Sequence, residues 1–216
     1  MHNTSYMPEW NSLKSPLSVP LQTRCYRGQM VLAGPSELDT PRLILRPLAL
    51  EDHIQVQQIF PHWEIVQHLN NKVPWPFPED GVLTYYREAA LPAIVRGEQW
   101  QWTLRLKQQP DQIIGSISLF KNESNNRGFW LASQWQRRGL MTEAVIAVND
   151  FWFDVLGFQV LRTPKAAANI TSRRISEKTG MRLIATGTGE YVCGHLPSET
   201  WEQTAEEWRV WRATSL

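Results

Sequence analysis

Phe129-Trp130-Leu131-Ala132-Ser133-Gln134-Trp135-Gln136-Arg137-Arg138-Gly139-Leu140-Met141-Thr142-Glu143-Ala144 changes character twice within one short run. Phe129 to Leu131 are aromatic and apolar, as a buried strand requires. Ser133 to Gly139 cannot continue that strand, being polar, doubly cationic and closed by glycine. From Met141 the apolar residues recur at Ala144, Val145, Val148, Phe151, Trp152 and Val155, which is helical spacing with one wide apolar face. Gly157 is placed to end that helix. A strand that turns through Gln-Arg-Arg-Gly into a helix makes an anion site, because the first helical amides lack intrahelical partners and point outward along the dipole. Gly139 has no side chain to block the approach of an anion. An ordinary strand-to-helix turn with two solvated arginines would look the same at this level.

Composition bounds the alternatives. The 216 residues suit one domain, or one domain with an extension. Apolar residues make up 42%, enough for a sizeable core, and the net charge of +1 argues against a dedicated nucleic-acid binder. The apolar runs are too short to span a bilayer, and no secretory signal pattern opens the chain. Two cysteines, Cys25 and Cys193, make neither a disulfide framework nor a metal set, so no metal and a reducing, cytoplasmic setting are expected. Cys193 is expected to be buried. Most of the eleven tryptophans are expected in the core. Residues 1–36, interrupted by Pro8, Pro16, Pro20 and Pro35, read as an extension, either a tail or a packed arm. Translation starting at Met30 is a third reading. Residues 37–216 form the domain.

The order of elements follows from local signals. Leu43 to Leu45 is a short strand closed by Pro47. Leu48 to Leu69 reads as one or two helices broken at Pro61, and Asp80 to Val95 as another. Val73-Pro74-Trp75-Pro76-Phe77-Pro78 between them is too proline-rich for either regular structure. Trp100 to Leu106 and Ile113 to Phe120 are strands around a turn at Gln108 to Asp111, and a polar turn leads into the strand of the opening stretch. Phe158 to Ala168 is a further strand, whose Pro164 implies an edge or an irregular end. Asn169 is suited to cap the helix that follows, with Ser172 in its first turn.

These pieces resemble one family in order and spacing. Gln136-Arg137-Arg138-Gly139-Leu140-Met141 is similar to the Gln/Arg-x-x-Gly-x-Gly/Ala motif of the GNAT acetyltransferases, with Met141 standing where a small residue is usual. Thr40-Pro41-Arg42-Leu43-Ile44-Leu45-Arg46 resembles the opening of its RimJ/RimL-like branch, which acetylates the N-termini of ribosomal proteins, and Ile114-Gly115 resembles the family's Ile-Gly on the strand at that point. Asn169 to Met181 resembles the Asn-x-x-Ser-x-x-(apolar)-x-x-Lys-x-Gly signature. Glu190 to Gly194 and Thr200 to Trp208 resemble the closing strands. The resemblance runs from about Leu38 to Trp208. It implies an α/β (α+β) GNAT fold, with a mixed, mostly antiparallel sheet of six to seven strands flanked by helices.

The resemblance also implies a reaction: direct transfer of an acetyl group from acetyl-CoA to a primary amine. Leu131, Gln136, Arg137, Arg138, Gly139, Leu140, Met141, Thr142, Asn169 and Arg174 would hold the CoA. An amide near Leu131 or Ala132 would receive the developing oxyanion. Ser172 would face the thiolate leaving group, and Glu190 stands where close relatives carry a base. His62 and His68 are alternative bases. Trp75 and Phe77 would overhang the acceptor. A peptide N-terminus, which ordinarily titrates at about pH 8, gives up its proton more readily than lysine at about 10.4. The partners expected are acetyl-CoA and an amine acceptor, not nucleic acid or membrane, on a monomer or homodimer. A small-molecule amine is the alternative acceptor. A non-catalytic CoA-binding or protein-interaction domain is the reading from another class.

Overall fold

The computed structural model describes residues 34–214 and, of the preceding chain, only the backbone pairing of Cys25–Tyr26 with Gln29–Met30. The expected extension otherwise lies outside the described residues. Eight further strands form two sheets. The first contains β1 (Leu38–Asp39), β2 (Leu43–Pro47), β3 (Gln99–Leu106), β4 (Gln109–Phe120) and β5 (Arg127–Leu131), antiparallel and in chain order. The second contains β6 (Val160–Ala166), β7 (Arg182–Tyr191) and β8 (Gly194–Thr204), in the order β6-β8-β7. This is the expected mixed α/β architecture with antiparallel sheets and flanking helices.

Helices cover both faces of the first sheet. On one side lie α1 (His53–Ile59), α2 (Trp63–Val66) and a continuous helical stretch, α3 (Gly81–Tyr85), a π-helical turn (Tyr86–Ala90) and α4 (Leu91–Val95). Their apolar residues Val56, Val82, Tyr86 and Ala90 pack with Leu48 and Ile113 as one cluster. On the other side lie α5 (Leu140–Asp150), its π-helical continuation (Phe151–Val155), α6 (Ile170–Lys178) and α7 (Ala205–Thr214). Here Trp100, Trp102, Trp152 and Trp208 are fully buried with Val145 and Val148. A buried side chain of this size contributes about 1.5–3 kcal/mol. Gly157 ends the long helix at φ +72°, where glycine is tolerated best.

Three local expectations are corrected. The turn between β3 and β4 falls at Lys107 and Gln108 rather than Gln108 to Asp111, and register shifts on either side of Arg105 accommodate Pro110 within β4. The last strand stops at Thr204, whose Oγ1 accepts from the Glu207 amide while Glu207 accepts from the Thr204 amide, a reciprocal cap that starts α7. Cys193 is exposed.

Asn126 and Arg162 join the backbones of the two sheets. The Asn126 amide donates to the Arg162 carbonyl (2.7 Å), and the Arg162 amide donates to Asn126 Oδ1 (2.7 Å). Beyond this joint β5 and β6 share no ladder, so a fork opens between them. Pro164 lies on β6, the edge strand beside the fork.

Candidate active site

The fork divides two cavities. A cleft of about 780 Å³ lies along the start of α5 and α6, and a cavity of about 920 Å³ lies under α1, α3 and the 70–78 loop. Six residues line both: His68, Leu69, Phe129, Trp130, Asn169 and Ser172. They mark the junction at which groups held in the two spaces meet.

The smaller cleft is built around the turn before α5. Arg137 sits at φ +62° and Gly139 at φ +78°, so two residues of the turn are left-handed. A non-glycine residue there is unusual and marks a constrained backbone. No side chain caps α5. Its first amides, from Leu140 to Thr142, therefore remain available to an anion. Among the described residues, a Cβ on Gly139 would meet only Arg42 Nη2, at 3.4 Å, so the approach is open. Gln136, Arg137, Gly139, Leu140, Met141 and Thr142 line the cleft, as does Arg174 across it. Met141 is 6% exposed and packs in the core, which leaves its backbone at the cleft. Lys178, not anticipated from the sequence, adds a third cation to Arg137 and Arg174. These residues fit a pyrophosphate-bearing nucleotide.

Arg138 departs from expectation. Its guanidinium lies over Trp135, 4.9 Å from the ring centroid, and it does not line the cleft. Its carbonyl accepts from Arg42 Nη1 (3.0 Å). Arg42 Nε and amide in turn donate to Glu143 (both 2.7 Å), which also accepts from Thr40 Oγ1 (2.6 Å). Burial alone would raise the Glu143 pKa, but the bonds from Thr40 and Arg42 outweigh it and hold the carboxyl below its ordinary value. Thr40 and Arg42 therefore support the turn from behind.

Ladder alternation decides which amides of β5 face the fork. The Ala132 amide donates to the Ile114 carbonyl (2.9 Å), so it is committed to the sheet and is not available for an oxyanion. The amides of Leu131 and Phe129 lie on the other side of the strand, toward the fork. Gln136 Nε2 bonds the Leu131 carbonyl (2.9 Å), tying the turn to the strand end. Gly115 permits this pairing, since a Cβ there would come within 2.5 Å of the Trp130 carbonyl oxygen.

Asn169 caps α6, accepting from the Ser172 amide at 3.1 Å. Ser172 is 9% exposed at the junction. Glu190 lines the larger cavity and bonds His195 Nδ1 at 2.6 Å, a partner across the β7–β8 hairpin that no sequence signal indicated. His68 lines both cavities, and burial pushes its pKa below the ordinary value. His62 lines neither. Phe77 lines the larger cavity and packs edge-on to Phe60, with ring centroids 5.4 Å apart. Trp75 lines neither cavity and lies against Trp63 at 44% exposure, so the loop's two aromatics part company.

The inner wall of the larger cavity is polar. Gln99 Nε2 donates to Gln101 Oε1 (2.7 Å) and Tyr85 Oη (3.2 Å), and Gln101 Nε2 donates to Ser116 Oγ (3.2 Å). No group of three or more His, Cys, Asp or Glu suited to a metal, and no helix long and apolar enough to cross a membrane, occurs among the described residues.

Comparison with known proteins agrees with this geometry. A family model described as an acetyltransferase (GNAT) domain matches residues 42–182. A search of curated proteins finds no match. Among solved structures, the chain is similar to RimL, a ribosomal-protein alpha-N-acetyltransferase in complex with coenzyme A, at 13% identity and TM-score 0.67, covering 78% of this chain and 98% of that one. It is similar to a ribosomal-protein alanine acetyltransferase from Vibrio fischeri, at 13% identity and TM-score 0.69, covering 80% and 98%. It is also similar to Mycobacterium smegmatis RimJ in complex with CoA-disulfide, at 16% identity and TM-score 0.67, covering 80% and 87%.

Proposed function

The chain belongs to the GNAT acetyltransferase family, and from that premise we propose that it moves an acetyl group from acetyl-CoA directly to a protein or peptide N-terminus, as a RimJ/RimL-like enzyme of the cytoplasm. The observation that carries this reading is the junction. A cleft with uncapped helix amides and three cations opens, through six shared residues, onto a second cavity large enough for an acceptor. RimJ- and RimL-named structures among the neighbours favour an N-terminal acceptor.

The chain's own residues would divide the work as follows. The amides at the start of α5, with Arg137, Arg174 and Lys178, hold the phosphates. Bound acetyl-CoA supplies an already activated acyl group, so positioning is the main contribution. The amides of Leu131 and Phe129 stand where an oxyanion would be received. Ser172 stands at the junction to donate to the leaving sulfur. Glu190 with His195 takes the amine proton from the acceptor side. His68, whose pKa burial lowers, is the other acceptor of that proton.

A small-molecule amine is the second reading, favoured by the buried, hydrogen-bonded wall of Gln99, Gln101 and Ser116, which suits a compact polar acceptor. The test is acetyl-CoA turnover measured across N-terminal peptides, amino acids, polyamines and aminoglycosides. Turnover confined to peptides supports the first reading. Turnover confined to small amines replaces it with the second, and none with any amine removes both.

A further inference from the structure

Two cations are buried where the fork begins. Arg127 is 4% and Lys165 7% exposed, and both line the larger cavity. Arg127 Nη1 donates to Asn149 Oδ1 at 2.6 Å, and Nη2 reaches Met181 Sδ at 3.5 Å. Its Nε, like Asn149 Nδ2, has no hydrogen-bond partner among the described residues. Lys165 Nζ donates to Thr163 Oγ1 (3.1 Å) and to Ser176 Oγ. Neither cation bonds a carboxylate among the described residues. Glu199, the cross-strand partner of Lys165, is instead taken by Arg173 (2.9 Å) and Trp201 (3.0 Å). Burial first, then the charge of Arg127, pushes Lys165 down to about 7, against an opposing pull from Glu199 and Glu177. Burial lowers Arg127 to about 9, which leaves it charged at neutral pH.

Buried charges in proteins are ordinarily paired, because the penalty for an unpaired one is several kcal/mol. Here a charged guanidinium and an amine that titrates near neutrality share one buried space, with hydroxyls and an orphaned amide around them. That set complements a carboxylate, whose two oxygens match a guanidinium fork and a neighbouring ammonium. Arg127 and Phe129 lie on the same face of β5, two residues apart. The Arg127 backbone therefore sits one strand repeat, about 7 Å, from a junction residue. We propose that Arg127 and Lys165 form a carboxylate subsite at the base of the fork, filled by a carboxylate carried either on the acyl group of the donor or on the acceptor. The transfer itself is unchanged: the amine nitrogen bonds the acyl carbon, the thioester C–S bond breaks, and the amine proton ends on the thiol. The proposal rests on reading the junction as an acyltransferase site.

The test has one arm that needs no CoA. Thermal midpoints are compared for the parent and Lys165→Met, with succinate or with neutral succinamide at millimolar concentration. Succinate is expected to raise the parent's midpoint by about 2–4 °C and succinamide not at all. Lys165→Met should lose the succinate increment whatever its own midpoint, because the amine that would meet the carboxylate is gone. Two further arms locate the carboxylate. If the acyl group carries it, succinyl-CoA binds the parent at least tenfold more tightly than acetyl-CoA, and the two bind Lys165→Met alike. If the acceptor carries it, the two thioesters bind alike, and amines bearing a carboxylate show a KM at least tenfold lower than their amides, a difference absent in the variant. Equal parent midpoints with succinate and succinamide overturn the subsite even if the enzyme turns over. Absence of CoA binding overturns the acyltransferase reading instead, and leaves the succinate comparison as the judge of the subsite.

Discussion

Replacing Glu143 by alanine should damage two things at once, the stability of the fold and the grip on CoA. The carboxylate, 13% exposed, receives the Thr40 hydroxyl and both the amide and the Nε of Arg42. Thr40 keeps its bond to the Leu43 carbonyl (3.1 Å) and loses little. Bonds to a charged group contribute about 1.5–3 kcal/mol each when buried. Arg42 is half exposed, so its share is reduced by solvent. A net loss of about 2 kcal/mol follows, equivalent to a midpoint about 4–8 °C lower for a domain of this size. With Arg42 unanchored, the Arg138 carbonyl is released, and the turn must be reordered when CoA binds. Fixing one residue costs about 1–2 kcal/mol, so CoA affinity should fall about tenfold. The pH dependence has a defined sign. The folded-state pKa of Glu143 lies below its ordinary value of 4.5, so its contribution is fully present above about pH 4.5 and is lost as pH falls through the folded value. The gap between parent and variant should therefore be constant near neutrality and narrow in acid. Urea unfolding from pH 3 to 7, with calorimetric titration of CoA at pH 7, measures both effects. Unchanged CoA affinity in a destabilised variant would show that the turn stands without Glu143, and a gap that persists undiminished at pH 3 would show that its charge contributes nothing.

The remaining expectations concern the two cavities. Gly139→Glu should reduce CoA affinity at least a hundredfold by calorimetry, from a left-handed backbone costing about 1–2 kcal/mol without glycine and from a negative charge facing the phosphates. Gly139→Ala should show only the first part, and equal losses in the two variants would mean that charge is irrelevant there. Phe77→Ala should raise KM for the amine several-fold with little change for acetyl-CoA, whereas Trp75→Ala, outside both cavities, should leave both unchanged. Glu190→Gln should lower kcat/KM most at low pH and recover as pH rises and the amine loses its proton unaided, whereas Ser172→Ala should lower it by a similar factor throughout. A Glu190→Gln profile parallel to the parent's would pass the base role to His68, which lines both cavities.

The turn before α5 was legible because most of its requirements leave a local mark: an apolar strand, a glycine at one of its two left-handed positions, and helical spacing after it. Asn169 and Ser172 were legible for the same reason, since a cap and its first turn are neighbours in sequence. What was missed depends on distance along the chain. Glu143 meets Arg42 across 101 residues, and nothing near either residue announces the other. Gln99, Gln101, Ser116 and Ser118 alternate with apolar residues as a solvent-facing strand side would, yet they are buried under α3, so polarity alone misplaces them. Trp75 and Phe77 share a loop and a chemistry, but only Phe77 turns inward.

The fork itself is the hardest feature to read, because it consists of a ladder that is not made. Each of β5 and β6 pairs normally on its outer side, so each looks like any other strand. Two signs do remain in the sequence, and their meaning appears only together. Pro164 cannot donate to a ladder, so the strand that carries it belongs at an edge. Arg127 and Lys165 put charge into strands that composition would make apolar. A continuous sheet would bury those two cations against one another with no recourse, whereas parted strands leave a space beside them that a ligand's anion can enter. The same parting leaves the Leu131 and Phe129 amides facing the space between the strands, so on the proposed reading a single break in pairing would supply both the donors for a reacting carbonyl and the charged floor beneath it.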